Sequence, residues 1–253
     1  MSGEIGMSIE TPAELERMKA IGAIVGRTLR ALVAAVRPGV TTKELSEMGA
    51  KLLAQEGAHS SPPVVYKFPG AVCISVNDEV VHGIPGDRVI RPGDLVKLDL
   101  TAMKDGFHAD SAVSVTVPPV NREADKLVRC AERAFRKALR VARAGNRVNE
   151  IGRAVEREVR SSGFRVVREL CGHGVGRTIH EEPSVPNYWE PNASEILTEG
   201  LVITIEPIIA AGRGEGELQS DGWTVCTEDG SLAAHYEHTI VITKGEPILL
   251  TAA

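Results

Sequence analysis

Two stretches of this chain echo one another at a spacing of 106 residues, and that echo constrains the fold more than any other feature. RPGVTTKEL from Arg37 and RAGNRVNEI from Arg143 share their Arg, Gly, Glu and Leu/Ile positions, and Gly57 and Gly163 keep the same spacing. GDLVKLD, ending at Asp99, is similar to GLVITIE, ending at Glu206, and His82-Gly83-Ile84-Pro85 echoes His180-Glu181-Glu182-Pro183. Three matches in one order predict a duplicated helix–helix–strand unit within a single domain covering 1–253. The halves run from about 12 to 118 and from about 121 to 250. Two copies are too few for a solenoid, so the halves are expected to face each other about a pseudo-two-fold axis.

Local signals fill in the units. Thr11-Pro12-Ala13-Glu14 carries an N-cap, a proline at the first helical position and a capping-box glutamate, and predicts a helix to about Val36. Thr41-Thr42-Lys43-Glu44 predicts a second helix ending near Gly57. Strands are expected over Ala71–Val81 and Asp94–Met103, then, after a turn at Asp105-Gly106, over Phe107–Val117. Helices from Arg122 to Ala144 and from Asn149 to Ser162 repeat the plan.

Composition narrows the function classes. A net charge of −5 and an aromatic share of 4% argue against a nucleic-acid partner, which calls for clustered Lys and Arg or stacking rings. The N-terminus lacks the basic start and apolar run of a secretory signal, and no apolar stretch is long enough for a bilayer. Cys73, Cys130, Cys171 and Cys226 are widely spaced, which predicts free thiols in a reducing cytoplasm.

Charges sit where apolar strands are expected. Asp99 interrupts LVKLDLTA and Asp110 interrupts FHADSAVSV. With Asp105-Gly106 as a two-residue hairpin turn, residue 101 lies opposite 110 and 99 opposite 112, so the two carboxylates are diagonal neighbours on one face, roughly 7–8 Å apart at the backbone. Taken singly, each is more often a solvated polar residue; side by side among leucines and valines they need a cation or a shared proton. Glu206 ends LVITIE and Glu237 lies in HYEHTIVIT, so each half supplies an acidic pair. In CGHGVGRTIHEEP, from Cys171 to Pro183, His173 and His180 stand on glycine-rich backbone open to close approach. Four carboxylates and one imidazole suit two divalent ions such as Mn, Fe, Co or Zn. Two such ions roughly 3.5–4 Å apart are a recurrent hydrolytic device. The residues alone reach a dinuclear metallohydrolase and do not choose its bond.

The ordered set Asp99, Asp110, His173, Glu206 and Glu237 resembles the metal ligands of the pita-bread metallopeptidases, an α+β fold with two pseudo-symmetric halves around a central antiparallel sheet. SVNDEVVHGIP, CGHGVGRTIHEEP and GWTVCTEDGSLAAHYEHTIVIT carry the resemblance, which is strongest to short type I methionine aminopeptidases. It implies release of an N-terminal methionine before a small second residue, by a metal-bridging hydroxide. Asp99 would hold one of two divalent ions, Asp110 and Glu237 would bridge both, and His173 and Glu206 would complete the other. Glu206 would also be the proton acceptor. His180 would meet the scissile carbonyl oxygen and His82 the peptide nitrogen. Phe68, Cys73, Ile179 and Trp223 would wall a methionine pocket, although core packing is an equally good reading for Cys73. Departures fall at Leu170, at Ile179 where Phe is common, and at Val65 where Tyr is frequent. The resemblance also implies a cytoplasmic monomer acting on Met peptides and on nascent chains near the ribosome. Two other readings remain: a short Xaa-Pro or broader aminopeptidase, towards which Ile179 points, and a metal-free binding module, which all five filled ligand positions disfavour.

Overall fold

The computed structural model describes residues 8–252. Residues 1–7, the start of the segment read above as lacking a leader pattern, lie outside it. Helix α1 spans Pro12–Ala35 and α2 spans Thr42–Gln55. Both begin with a capping box: Thr11 and Thr41 accept from the amides of Glu14 and Glu44, whose carboxylates reach back to the threonine amides. A short helix α3, Ser61–Val65, starts on two prolines. Helices α4 (Arg122–Val141) and α5 (Val148–Ser161) form the second pair. Their apolar positions recur at three- and four-residue steps, as in Leu127, Ala131, Ala134, Phe135 and Ala138, so each helix buries one stripe.

A nine-stranded antiparallel sheet forms the centre. Its main path runs through His59–Ser60, Leu95–Lys104, Phe107–Thr116, Glu237–Val241, Val202–Ile205, Cys171–Gly174 and Glu181–Pro186. Helices α1 and α2 pack on Val96, Leu98 and Leu100; α4 and α5 pack on Ile203, Ile205 and Ile240. Strand alternation then turns Asp99, Glu206 and Glu237 away from the helices. The Asp105-Gly106 turn is the predicted one. Both residues have positive φ, 50° and 81°, as a two-residue hairpin of this hand requires, and Thr101 pairs with Asp110 and Asp99 with Ala112.

Hydrogen bonds recur with the sequence echo. The Gly39 amide donates to Ile90 O at 2.9 Å and that of Gly145 to Leu197 O at 2.9 Å; the Thr42 amide reaches Arg88 O and the Val148 amide reaches Glu195 O, each at 3.0 Å. Both helix pairs are thus tied back to a later segment in the same way.

Two predicted elements are shorter than expected. The strand over Ala71–Val81 is split into Cys73–Val76 and Glu79–Val81. Asn77 breaks it in a left-handed conformation, φ 60°, held because its side chain accepts from the Leu95 amide and donates to Asp94. Helix α4 stops at Val141 rather than Ala144: the Asn146 side-chain amide donates to the Val141 carbonyl, and the Ala144 amide turns to Thr243 O. The four cysteines are free, and no helix among the described residues is long and apolar enough to cross a membrane.

Lys97 lies fully inside, 1% exposed, with its ammonium donating to the carbonyls of Asn77 at 2.7 Å and Ala233 at 3.2 Å. Burial brings its pKa down to about 7. Above that value the folded chain gives up a proton that the unfolded chain keeps until about 10.5, so unfolding takes up a proton and stability rises with pH across this window. Relative to Lys97→Met, the wild type should therefore gain about 2 kcal/mol between pH 7 and pH 9, measured by urea unfolding at both pH values. A difference that does not change with pH would mean Lys97 stays charged inside the fold.

Candidate active site

Five neighbouring strands of the sheet each bring one residue to the same place. In sheet order these are Asp99, Asp110, Glu237, Glu206, which directly follows Val202–Ile205, and His173. Register sets the row: Asp99 and Glu237 are both opposite Ala112, from its two sides. Ligand atoms of Asp110, His173 and Glu237 lie within 4.8 Å of one another, and so do those of Glu206, His235 and Glu237. Glu237 belongs to both groups. Asp99 joins neither triplet but lines the same cavity beside Asp110.

Hydroxyls hold the carboxylates in place. Thr101 Oγ1 donates to Asp110 Oδ2 at 2.7 Å, and Thr204 Oγ1 donates to Glu206 Oε1 at 3.0 Å while accepting from the His173 amide. The Glu206 carbonyl accepts from the Asn187 side chain. His173 Nδ1 lies 2.9 Å from the Gly174 carbonyl, which can only accept, so the proton is on Nδ1 and the Nε2 lone pair faces the acids. Nε2 is 3.7 Å from Glu206 Oε1. Gly174 is required here by close approach, since a Cβ would stand 2.3 Å from the Glu182 carbonyl oxygen.

The electrostatics are those of a site short of positive charge. Burial pushes Asp99, Asp110, Glu206 and Glu237 up, and Asp110 adds repulsion to the other three. Burial also pulls His173 and His180 down to about 4 and His235 to about 3, so the imidazoles are neutral and cannot neutralise the acids. Asp110 Oδ1, Glu237 Oε1 and both ring nitrogens of His235 are buried without hydrogen-bond partners. Oxygen donors, a neutral imidazole with its lone pair inward and orphaned buried atoms fit divalent cations.

The acids floor a cavity of about 840 Å³. His82, His180, Phe68, Cys73, Ile179 and Trp223, all picked out in the sequence, line it, as does Leu170. Phe68 and Trp223 meet edge to face at 5.3 Å, and the imidazoles of His173 and His180 are 4.2 Å apart. Val65 is not among the lining residues; the phenol on this wall is that of Tyr66, whose hydroxyl lies 2.6 Å from His180 Nδ1. Sequence reasoning passed over Tyr66, Thr204 and His235. Only His235 left a readable signal, since strand alternation puts it on the face of Glu237.

Comparisons with known proteins agree with this fold. The profile of Metallopeptidase family M24 matches residues 16–244. The chain is 44% identical over 247 residues to methionine aminopeptidase 2 of Bacillus subtilis, covering 97% of this chain and 99% of the relative. The crystal structure of methionine aminopeptidase from Thermotoga maritima superposes with a TM-score of 0.95 at 34% identity, over 98% of this chain and 100% of that one. Prolidase from Pyrococcus furiosus shares the fold alone, with a TM-score of 0.80 at 23% identity over 98% of this chain and 66% of the prolidase. The architecture is the pita-bread fold expected from the sequence.

Because the acids hold protons more tightly than free carboxylates, cation binding must displace them. Titrating the metal-free protein with Mn or Co at neutral pH should therefore release protons, and affinity should rise with pH. Calorimetry in two buffers of different ionisation enthalpy reads the release directly. Equal heats in both would show that the acids are already ionised.

Proposed function

The chain belongs to metallopeptidase family M24, and we propose that it is a methionine aminopeptidase, releasing the N-terminal methionine of peptides whose second residue is small. The observation that carries this reading is the row of five donors on adjacent strands, flooring a cavity with an apolar wall. Asp99 would hold one of two divalent ions, Co, Mn, Fe or Zn, with Asp110 and Glu237 shared, and His173 and Glu206 would hold the other. When bound, the ions supply Lewis-acid polarisation of the scissile carbonyl and a lowered pKa for water.

The protein's own groups do the rest. Glu206 accepts the proton of the attacking water; burial raises its basicity and the Thr204 hydroxyl, donating to Oε1, holds the carboxylate in place. Tyr66 orients His180: with the phenol donating to Nδ1, Nε2–H is left to donate to the oxygen that becomes negative. His82, which burial keeps neutral, faces the peptide nitrogen. Phe68, Cys73, Ile179 and Trp223 receive an unbranched thioether, and burial keeps the Cys73 thiol protonated and inert. We read the chain as a single catalytic domain acting as a monomer in the cytoplasm, on nascent chains as they leave the ribosome.

Met-Ala-Ser should release methionine and Met-Lys-Ser should not, because the second side chain must fit beside the acids and Trp223. Identification of the amino acid released by the metal-loaded protein checks this. Release of alanine from Ala-Pro with Met-Ala-Ser untouched would instead make it an Xaa-Pro enzyme.

The two histidines of the glycine-rich segment should separate by role. His173→Ala should lose metal affinity, with activity partly restored by excess metal. His180→Ala should keep its metal and lose turnover, on the order of 2.7–4 kcal/mol in activation free energy, as for an oxyanion donor. Calorimetric titration beside turnover on Met-Ala-Ser reads both. Parallel loss of metal, activity and thermal stability in both variants would reduce the pair to loop supports.

A further inference from the structure

His235 ends the strand Ala233–His235, opposite Ile208 and two residues before Glu237. Alternation puts its ring on the side of Glu237 and, through Ile208, of Glu206. The residue is 2% exposed, and neither ring nitrogen has a hydrogen-bond partner. Leaving both nitrogens of a buried imidazole unpaired forfeits the hydration of each with nothing in return, so the site is built for something that takes one of them.

The distances say what. Nε2 stands 3.6 Å from Glu206 Oε2 and 3.5 Å from Glu237 Oε2. A hydrogen bond to either carboxylate would draw the atoms to about 2.9 Å. Two donors that each sit about 2.1 Å from one tetrahedral ion stand about 3.4 Å apart. The spacing of these three atoms matches donors around a shared ion better than donor and acceptor in a hydrogen bond. The ring is 2% exposed and enclosed by its neighbours, and the backbone that carries it is bracketed by Ser114, whose Oγ donates to the His235 carbonyl at 2.8 Å and accepts from its amide at 2.9 Å.

We propose that Nε2 of His235 is a protein ligand to the ion held by Glu206 and Glu237, so that this metal centre carries two imidazoles. Glu206 then lies between them, with Oε1 towards His173 and Oε2 towards His235. The inference rests on the metal reading above and adds a donor to it. A second nitrogen in an oxygen-rich set favours Co and Zn over Mn, because imidazole suits the former and carboxylate the latter.

The test uses the full chain, depleted of metal and reloaded with Co. Imidazole N–H protons of histidines bound to Co are shifted far outside the normal proton spectrum and vanish in D₂O. The wild type should show two such signals when both sites are filled, His235→Gln one, and His173→Ala the other one. Co affinity of His235→Gln should fall by more than about 100-fold, beyond the roughly 10–100-fold that loss of a residue which only orients a ligand costs, while Mn affinity falls less. One signal in the wild type that persists in His235→Gln, or wild-type Co affinity in that variant, overturns the proposal. The signal count in the wild type stands even if a variant folds poorly. Met-Ala-Ser turnover by the wild type is read separately, so failure of the second imidazole and failure of the peptidase reading give different results.

Discussion

Four carboxylates on one face of a sheet repel one another, and the strands that carry them cannot drift apart to relieve the strain. At an effective dielectric of about 20, two unit charges 4 Å apart interact by about 4 kcal/mol, more than the ~1 kcal/mol net of one ladder hydrogen bond. Separating the strands would break a whole ladder, however, and the hairpin that carries Asp99 and Asp110 alone has register from Leu95 to Lys104. Relief must come from a proton or a cation. Raised carboxyl pKa values are the first response and metal affinity is the second, so one constraint accounts for both the acid–base character and the donor set.

The helices make that constraint tolerable. α1 and α2 cover the back of the first hairpin, α4 and α5 cover the back of the Val202–Ile205 and Glu237–Val241 strands, and the front is left to the acids. The matched hydrogen bonds at Gly39 and Gly145, and at Thr42 and Val148, pin each helix pair to its own half. Each half then delivers two carboxylates from neighbouring segments, and the seam between Phe107–Thr116 and Glu237–Val241 brings the pairs together.

What could be read in the sequence was what local chemistry decides. Asp105-Gly106 dictates its turn, the turn dictates register, and register puts Asp99 and Asp110 on one face without further information. Caps at Thr11 and Thr41 are equally local. The misses depend on partners far along the chain. Asn77 looks like strand until Leu95 and Asp94 claim its side chain. Tyr66 and Val65 are adjacent, and which of them lines the cavity is settled by where α3 ends and by His180, 114 residues on. Lys97 sits in a strand pattern where only apolar residues are expected; two carbonyls from separate segments, the Asn77 turn and the Ala233–His235 strand, take its ammonium.

The strand Ala233–His235 joins these threads. At its start the Ala233 carbonyl accepts from Lys97, and at its end Ser114 brackets the His235 backbone, so two residues of the first half fix a strand of the second. A buried imidazole on a backbone fixed this way has little freedom to lose when an ion arrives, which favours binding. Glu237 follows after one residue, on the same face, and inherits that rigidity. Loosening the bracket, as in Ser114→Ala, should weaken metal binding without touching any donor, because the His235 and Glu237 side chains would no longer share a fixed spacing. The strand is therefore where the packing of the two halves is converted into the geometry of the metal centre.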